Sequence, residues 1–141
     1  MVHALDEARR VLAPGGMLVD LRPLTENFPV EISTARRSEG AGRLTDLPQG
    51  REDDEAANHA IDEAARRGWF TRVSEEKFPL FYYWDTPAEM QAFLEDEWDG
   101  FVSMDEPTAA QMKASWASAD ASARIRVGVK MLLTCLARKQ P

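Results

Sequence analysis

The sequence has little cysteine and no long apolar run. Cys135 is the only cysteine, which excludes an internal disulfide, and its place in the apolar run 130–137 predicts a small buried core residue. No run approaches the roughly 18 apolar residues that a membrane-spanning helix needs. The first seven residues carry two acids and lack the basic and apolar stretches of an export signal. These absences predict a cytoplasmic protein with no membrane partner.

Positive charge is also scarce. The chain has 17 Lys and Arg against 24 Asp and Glu, giving a net charge of −7. Phosphate contacts need clustered cations, so we predict no nucleic-acid partner. Residues 85–106 carry eight carboxylates and no Lys or Arg. We interpret them as solvated helix faces, with an interaction patch as the alternative.

Metal ligands are few. His3 and His59 have no cysteine, histidine or paired acid at ligand spacing, although Glu55 and Glu63 lie four residues to either side of His59. Zinc and di-iron sites need three or four convergent ligands, so we interpret these acids as exposed helix charges and predict no metal site. The sequence also lacks a phosphate loop, a nucleophile elbow and an evident catalytic triad.

Hydrophobic periodicity predicts alternating helices and strands. A helix ends at Pro14-Gly15-Gly16, and the strand that follows, 17–21, is predicted to be buried on both faces. A hairpin is predicted over 28–47, with strands 28–35 and 43–47 around a turn at 38–42. The remaining predicted elements are a helix at 52–67, an aromatic strand at 78–84 covered on two sides, a helix that Thr86-Pro87-Ala88-Glu89 caps, a helix at about 105–119 and a strand at 124–137.

Segment 5–20, Leu-Asp-Glu-Ala-Arg-Arg-Val-Leu-Ala-Pro-Gly-Gly-Met-Leu-Val-Asp, resembles the helix, Pro-Gly-Gly turn and fifth strand of class I S-adenosylmethionine-dependent methyltransferases. The later order of helix, Gly68-Trp69-Phe70 step, strand, helix and last strand is similar to the rest of that family's C-terminal half. The resemblance implies an α+β fold, a truncated α/β architecture. It would be a three-layer remnant of a Rossmann-like sheet with the family's strands 5-7-6, forming one domain over 1–141 with 28–47 as an inserted hairpin.

The departures from the family concern the methyl donor. Complete members carry a Gly-rich loop after the first strand and an acid after the second, and both are missing here. Gly40-Ala41-Gly42 is the only G-x-G, and we assign it to the hairpin turn. We therefore expect no cofactor for this chain alone, although the family uses S-adenosylmethionine, and we expect the isolated chain to be inactive in methyl transfer.

The resemblance also indicates which residues are candidates for substrate binding. Asp20 and Arg22 end the strand that borders the methyl-acceptor pocket in the family, and Tyr82 and Tyr83 are further candidates for substrate binding. The alternative is that Asp20 forms a local cap or salt bridge and that the tyrosines belong to the core.

A sheet with only the family's strands 5-7-6 leaves one edge of the strand at 17–21 open, and proteins cover such edges. One hypothesis is that the 28–47 hairpin or a second copy completes the sheet, giving a homodimeric binding module. Another is that the chain is one piece of a split methyltransferase, complemented by an N-terminal half that brings the donor-binding loop. A third is that a whole enzyme has been truncated, because Met1 lies inside the expected domain.

Overall fold

In a computed structural model, residues 2–139 form a mixed α+β architecture of four helices and seven strands. The helices are α1 (Val2–Val11), α2 (Pro48–Arg66), α3 (Pro87–Glu97) and α4 (Glu106–Ser118). The strands are β1 (Met17–Pro23), β2 (Pro29–Ser33), β3 (Ser38–Arg43), β4 (Thr45–Asp46), β5 (Phe70–Trp84), β6 (Val102–Ser103) and β7 (Arg124–Arg138). The predicted α+β class is confirmed.

The strands form an open sheet built on β7. Its order is β1-β7-β2-β3, and β5 also pairs with β7. β1 is antiparallel to the second half of β7, from Met17 opposite Ala137 to Pro23 opposite Met131. β2 is antiparallel to the first half and to β3, while β4 and β6 form a separate two-stranded ladder.

The chain divides into two compact units. The first contains the residues up to Leu24, Glu52–Phe78 and the residues from Met131, and the second contains Thr25–Arg51 and Pro79–Lys130. In the first unit, the buried core includes a cluster formed by Ile61, Ala64, Phe70 and Leu136. Half-buried side chains of α1 and β1 pack against it. The small side chains of α2 allow the helix to lie close to the sheet.

The core of the second unit lies where α3 and α4 meet the strands. Met90 of α3 and Met112 of α4 are fully buried, as are Val30 and Val127 on neighbouring strands. Beside them is an aromatic cluster with ring centroids 5.1–6.4 Å apart, formed by Phe28, Tyr82, Trp84, Phe93 and Trp98. The Thr86 cap of α3 is confirmed, because the Thr86 hydroxyl accepts the Glu89 N–H.

The hairpin exists, but its predicted turn and second strand were wrong. The turn is at 34–37, where the Thr34 N–H donates to the Arg37 carbonyl and the Thr34 hydroxyl accepts the N–H groups of Arg36 and Arg37. This local threonine turn takes the place of the glycine turn. Gly40 and Gly42 lie in β3, and Gly42 has φ +119° with Thr108 of α4 against its Cα.

Predicted burial was also wrong in three places. The strand at 17–21 is not buried on both faces, because alternate residues are exposed. Leu80, Phe81 and Tyr83 are about 40% exposed, so the aromatic strand is not covered on both sides. Cys135 is half-buried and not part of the buried core. An apolar run does not show which of its residues face the core, and helices cover only one face of the antiparallel sheet in many proteins.

Candidate functional site

The turn before β1 fixes where the strand begins. Gly15 has φ +77°, a conformation that glycine adopts without strain. The Gly15 N–H donates to the Arg138 carbonyl at 3.1 Å, and the Arg138 N–H donates to the Gly16 carbonyl at 2.8 Å. These two hydrogen bonds hold the start of β1 against the end of β7.

β1 presents its apolar side chains to solvent. Met17, Val19 and Leu21 are 48%, 56% and 54% exposed. Their partners across the ladder, Ala137, Cys135 and Leu133, are half-buried and lie on the same face of the sheet. We call the surface formed by these six residues the β1 face. Scattered exposed apolar residues are ordinary, but a contiguous row of them marks an interaction surface.

The opposite face of β1 lies toward α2. Leu18 packs against the core of the first unit. The Arg22 guanidinium lies over α2, donating to the Asp20 carboxylate at 3.0 Å, the Asp54 carbonyl at 3.2 Å and the Asn58 side-chain oxygen at 2.5 Å. The Asp54 carboxylate lies 3.7 Å from Arg22 as well.

Asp20 and Arg22 are thus brought together, as a local ion pair. The Arg22 side chain is only 13% exposed and its donors already have partners in β1 and α2. This contact ties the strand to the helix and neutralises the charge of Asp20. A substrate-binding role for the two residues stays a prediction, and it would require the ligand to replace these contacts.

Tyr82 and Tyr83 project to opposite sides of β5, as neighbouring residues of a strand do. Tyr82 belongs to the aromatic cluster, with its ring centroid 5.1 Å from that of Trp98. Tyr83 is 41% exposed and has Arg124 above its ring at 5.2 Å. The hydrogen bond from Arg126 to the Tyr83 side chain raises the pKa of Arg126, and the hydrogen bond to Glu31 adds to this effect, whereas burial opposes it. The tyrosines therefore do not share one pocket.

The outer edge of β1 completes the candidate site. Within residues 2–139, β1 pairs with β7 and with no other strand. One edge of its backbone is consequently free of a β-ladder, and such an edge is a template for another strand. The alternation of Asp20 and Arg22 with the apolar residues is the sequence signal for this site, and it agrees with the alternating exposure of β1 rather than with the predicted burial on both faces.

Other chemistry is sparse. His59 lines a shallow groove of about 530 Å3 on α2, together with Asp62, Glu63 and Arg66. Among the residues that the structure describes, no three His, Cys, Asp or Glu side chains are grouped so that they could hold a metal ion. None of the helices within 2–139 combines the length and hydropathy needed to cross a membrane.

Comparisons with models of known protein families, with curated proteins and with solved structures each found no match.

Proposed function

We propose that this chain is a methyltransferase-like protein that does not bind S-adenosylmethionine by itself and acts by associating with another polypeptide through the β1 face and its open edge. The proposed setting is the cytoplasm. The observation that carries the proposal is the row of exposed apolar residues on a strand that, among the residues the structure describes, has a neighbour along one edge only. A soluble protein leaves such a surface uncovered at the risk of aggregation.

The positions of the glycines support the absence of a donor site in this proposal. A donor-binding loop needs glycines between a buried strand and a helix, where backbone N–H groups are free to bind the cofactor. Gly40 and Gly42 lie within β3, and Gly15 and Gly16 connect α1 to β1 in the reverse order, helix before strand. Neither pair has the required context.

Calorimetric titration with S-adenosylmethionine tests the donor part of this proposal. We expect no saturable heat with the isolated chain at donor concentrations up to the millimolar range, where a dissociation constant corresponds to about 4 kcal/mol of binding free energy. Saturable binding with one donor per chain would contradict the proposal. S-adenosylhomocysteine is titrated in the same way, because it contains the same adenosine and amino-acid groups, and it should not bind either.

A second candidate function is that of one piece of a split or truncated methyltransferase acting on a small molecule. The pairing of β7 with both β1 and β5 favours it, because the resemblance implies this same adjacency of the fifth, seventh and sixth strands. Asp20 and Arg22 would then lie at the carboxyl end of the acceptor-side strand.

The test of this second candidate is complementation. A neighbouring reading frame of about 100 residues, a typical domain length, that carries the Gly-rich motif would be co-expressed with the chain. Donor binding by the purified pair and by neither piece alone would support the split enzyme. Failure of the two pieces to co-purify would remove it.

A further inference from the structure

We infer that the β1 edge pairs with β1 of a second copy of this chain, antiparallel and centred on Val19. The inference rests on the proposed function, which makes β1 the surface that associates with another polypeptide. It adds that this polypeptide is a second copy of the same chain. Two copies joined in this way form one continuous sheet, in which the open backbone edge of each β1 is paired and the exposed side chains of the two strands contact each other across the new ladder. A two-fold axis makes such an interface self-complementary and closed.

The sequence of β1 selects the register. With Val19 opposite its own copy, Met17 lies opposite Leu21 of the partner subunit, and Leu21 opposite the partner subunit's Met17. All three exposed apolar residues thus meet apolar residues on the same face, and cross-strand pairs of this kind stabilise a sheet. Pro23, which has no N–H, lies outside the paired segment, in keeping with the confinement of proline to strand ends and edges.

The register centred on Asp20 is disfavoured by proline. It would place Pro23 opposite Met17 of the partner subunit, inside the paired segment, where Pro23 has no N–H to donate. In the Val19 register, Pro23 lies outside the ladder, Leu18 lies opposite the partner subunit's Asp20, and each Asp20 keeps its own Arg22 at 3.0 Å.

The β1 segment is also where two copies can approach most readily. The chain carries a net charge of −7, so two copies repel each other at long range. The exposed residues of the β1 face are uncharged, and Arg22 neutralises the one acid of the strand. This local neutrality favours a second copy over a cationic partner, which the β1 face offers nothing to attract.

The test combines mass and covalent capture. Light scattering of the wild-type chain at tens of micromolar should give twice the 15.8 kDa of one chain. Val19→Lys should return the mass of a monomer and weaken association by about a hundred-fold or more, because two lysines would meet at the axis in place of two apolar side chains. Val73→Lys, at a 59% exposed position of β5, is the matched control and should remain dimeric.

Register is read from cysteine capture in a Cys135→Ala background, since Cys135 lies directly opposite Val19 within the chain. With oxidised glutathione, Val19→Cys should give a disulfide-linked dimer, because paired residues of antiparallel strands have Cα atoms about 4.5–5.5 Å apart, within disulfide range. Val73→Cys should not.

A wild-type monomer overturns the inference, and so does a dimer that Val19→Lys leaves intact or that Val19→Cys fails to link. The proposed function is judged separately on the same samples by titration with S-adenosylmethionine. If the chain is a monomer and binds no S-adenosylmethionine, the inferred pairing of two copies is wrong but the proposed function stands. If the chain binds S-adenosylmethionine saturably, the proposed function is wrong, whether the chain is a monomer or a dimer.

Discussion

Replacement of Arg22 decides whether this candidate site residue binds a ligand or holds the fold together. Arg22→Met removes the guanidinium but keeps most of the aliphatic stem, so the change isolates the polar contacts. The variant loses hydrogen bonds to Asp20, to the Asp54 carbonyl and to Asn58. It also leaves the Asp20 and Asp54 carboxylates, 26% and 19% exposed, without the cation between them.

The magnitude follows from partial burial. A hydrogen bond that involves a charged group contributes about 1.5–3 kcal/mol when it is buried. Solvent reaches the two carboxylates and weakens these interactions. We therefore expect Arg22→Met to lower the free energy of unfolding by about 2 kcal/mol in total, for all of its lost hydrogen bonds together. For a chain of this size the loss corresponds to a fall of about 4–8 °C in Tm.

Thermal unfolding followed by circular dichroism measures the change. Arg72→Met is the control, because Arg72 forms an ion pair with Asp62 at 3.2 Å whose side chains are 45% and 64% exposed. Its Tm should change by about 1–2 °C or less. An Arg22→Met variant as stable as the control would refute the structural role, and the ligand-binding interpretation of Arg22 would then regain support.

Three further predictions concern the second unit. Gly42→Ala should lower the free energy of unfolding in urea by about 1–3 kcal/mol, because φ is +119° and the new Cβ would lie 2.7 Å from Thr108 Cγ2. Gly40→Ala is the control and should be tolerated, because the space at its Cβ is open. Met112→Ala, at a fully buried position, should lower the free energy of unfolding by about 2–5 kcal/mol, and a smaller loss would show that α4 is loosely packed. Hydrogen bonds from Thr108 lower the pKa of Asp105 in the folded state. The ionised Asp105 therefore contributes to the free energy of unfolding above the ordinary pKa of 3.8, and this contribution is lost as the pH falls through the lowered pKa. Asp105→Asn should keep the helix cap at pH 7 and remove this part of the acid dependence of Tm, and an unchanged acid dependence would contradict it.

The elements with local signals were predictable from the sequence. The capping box at Thr86 identified α3, and the Pro14-Gly15-Gly16 turn correctly separated α1 from β1. Both signals depend on residues adjacent in sequence, whose hydrogen bonds and dihedral limits do not require knowledge of the rest of the fold. The strict alternation at 124–131 likewise located β7, which has a single residue beyond the predicted end.

Features that depend on distant contacts were missed. β5 begins at Phe70, eight residues before the predicted strand. Residues 71–77 are mostly polar and exposed, so their composition does not indicate a strand, and the pairing of β5 with β7 joins segments that are far apart in the sequence. Exposure of Val19 was missed for a related reason, since an apolar strand does not reveal which of its faces a helix will cover. The partners of Arg22 on α2 lie 32 and 36 residues away along the chain, too far for any spacing rule.

Hydrogen exchange of the β1 amides as a function of protein concentration tests most directly whether this strand is an association surface. At low micromolar concentration, we predict that amides of Met17–Leu21 on the unpaired edge exchange quickly, and that they become protected as the concentration rises. Val19→Lys should abolish that protection without affecting the rest of the sheet. Exchange of β1 that is independent of concentration in the wild-type chain would contradict the account.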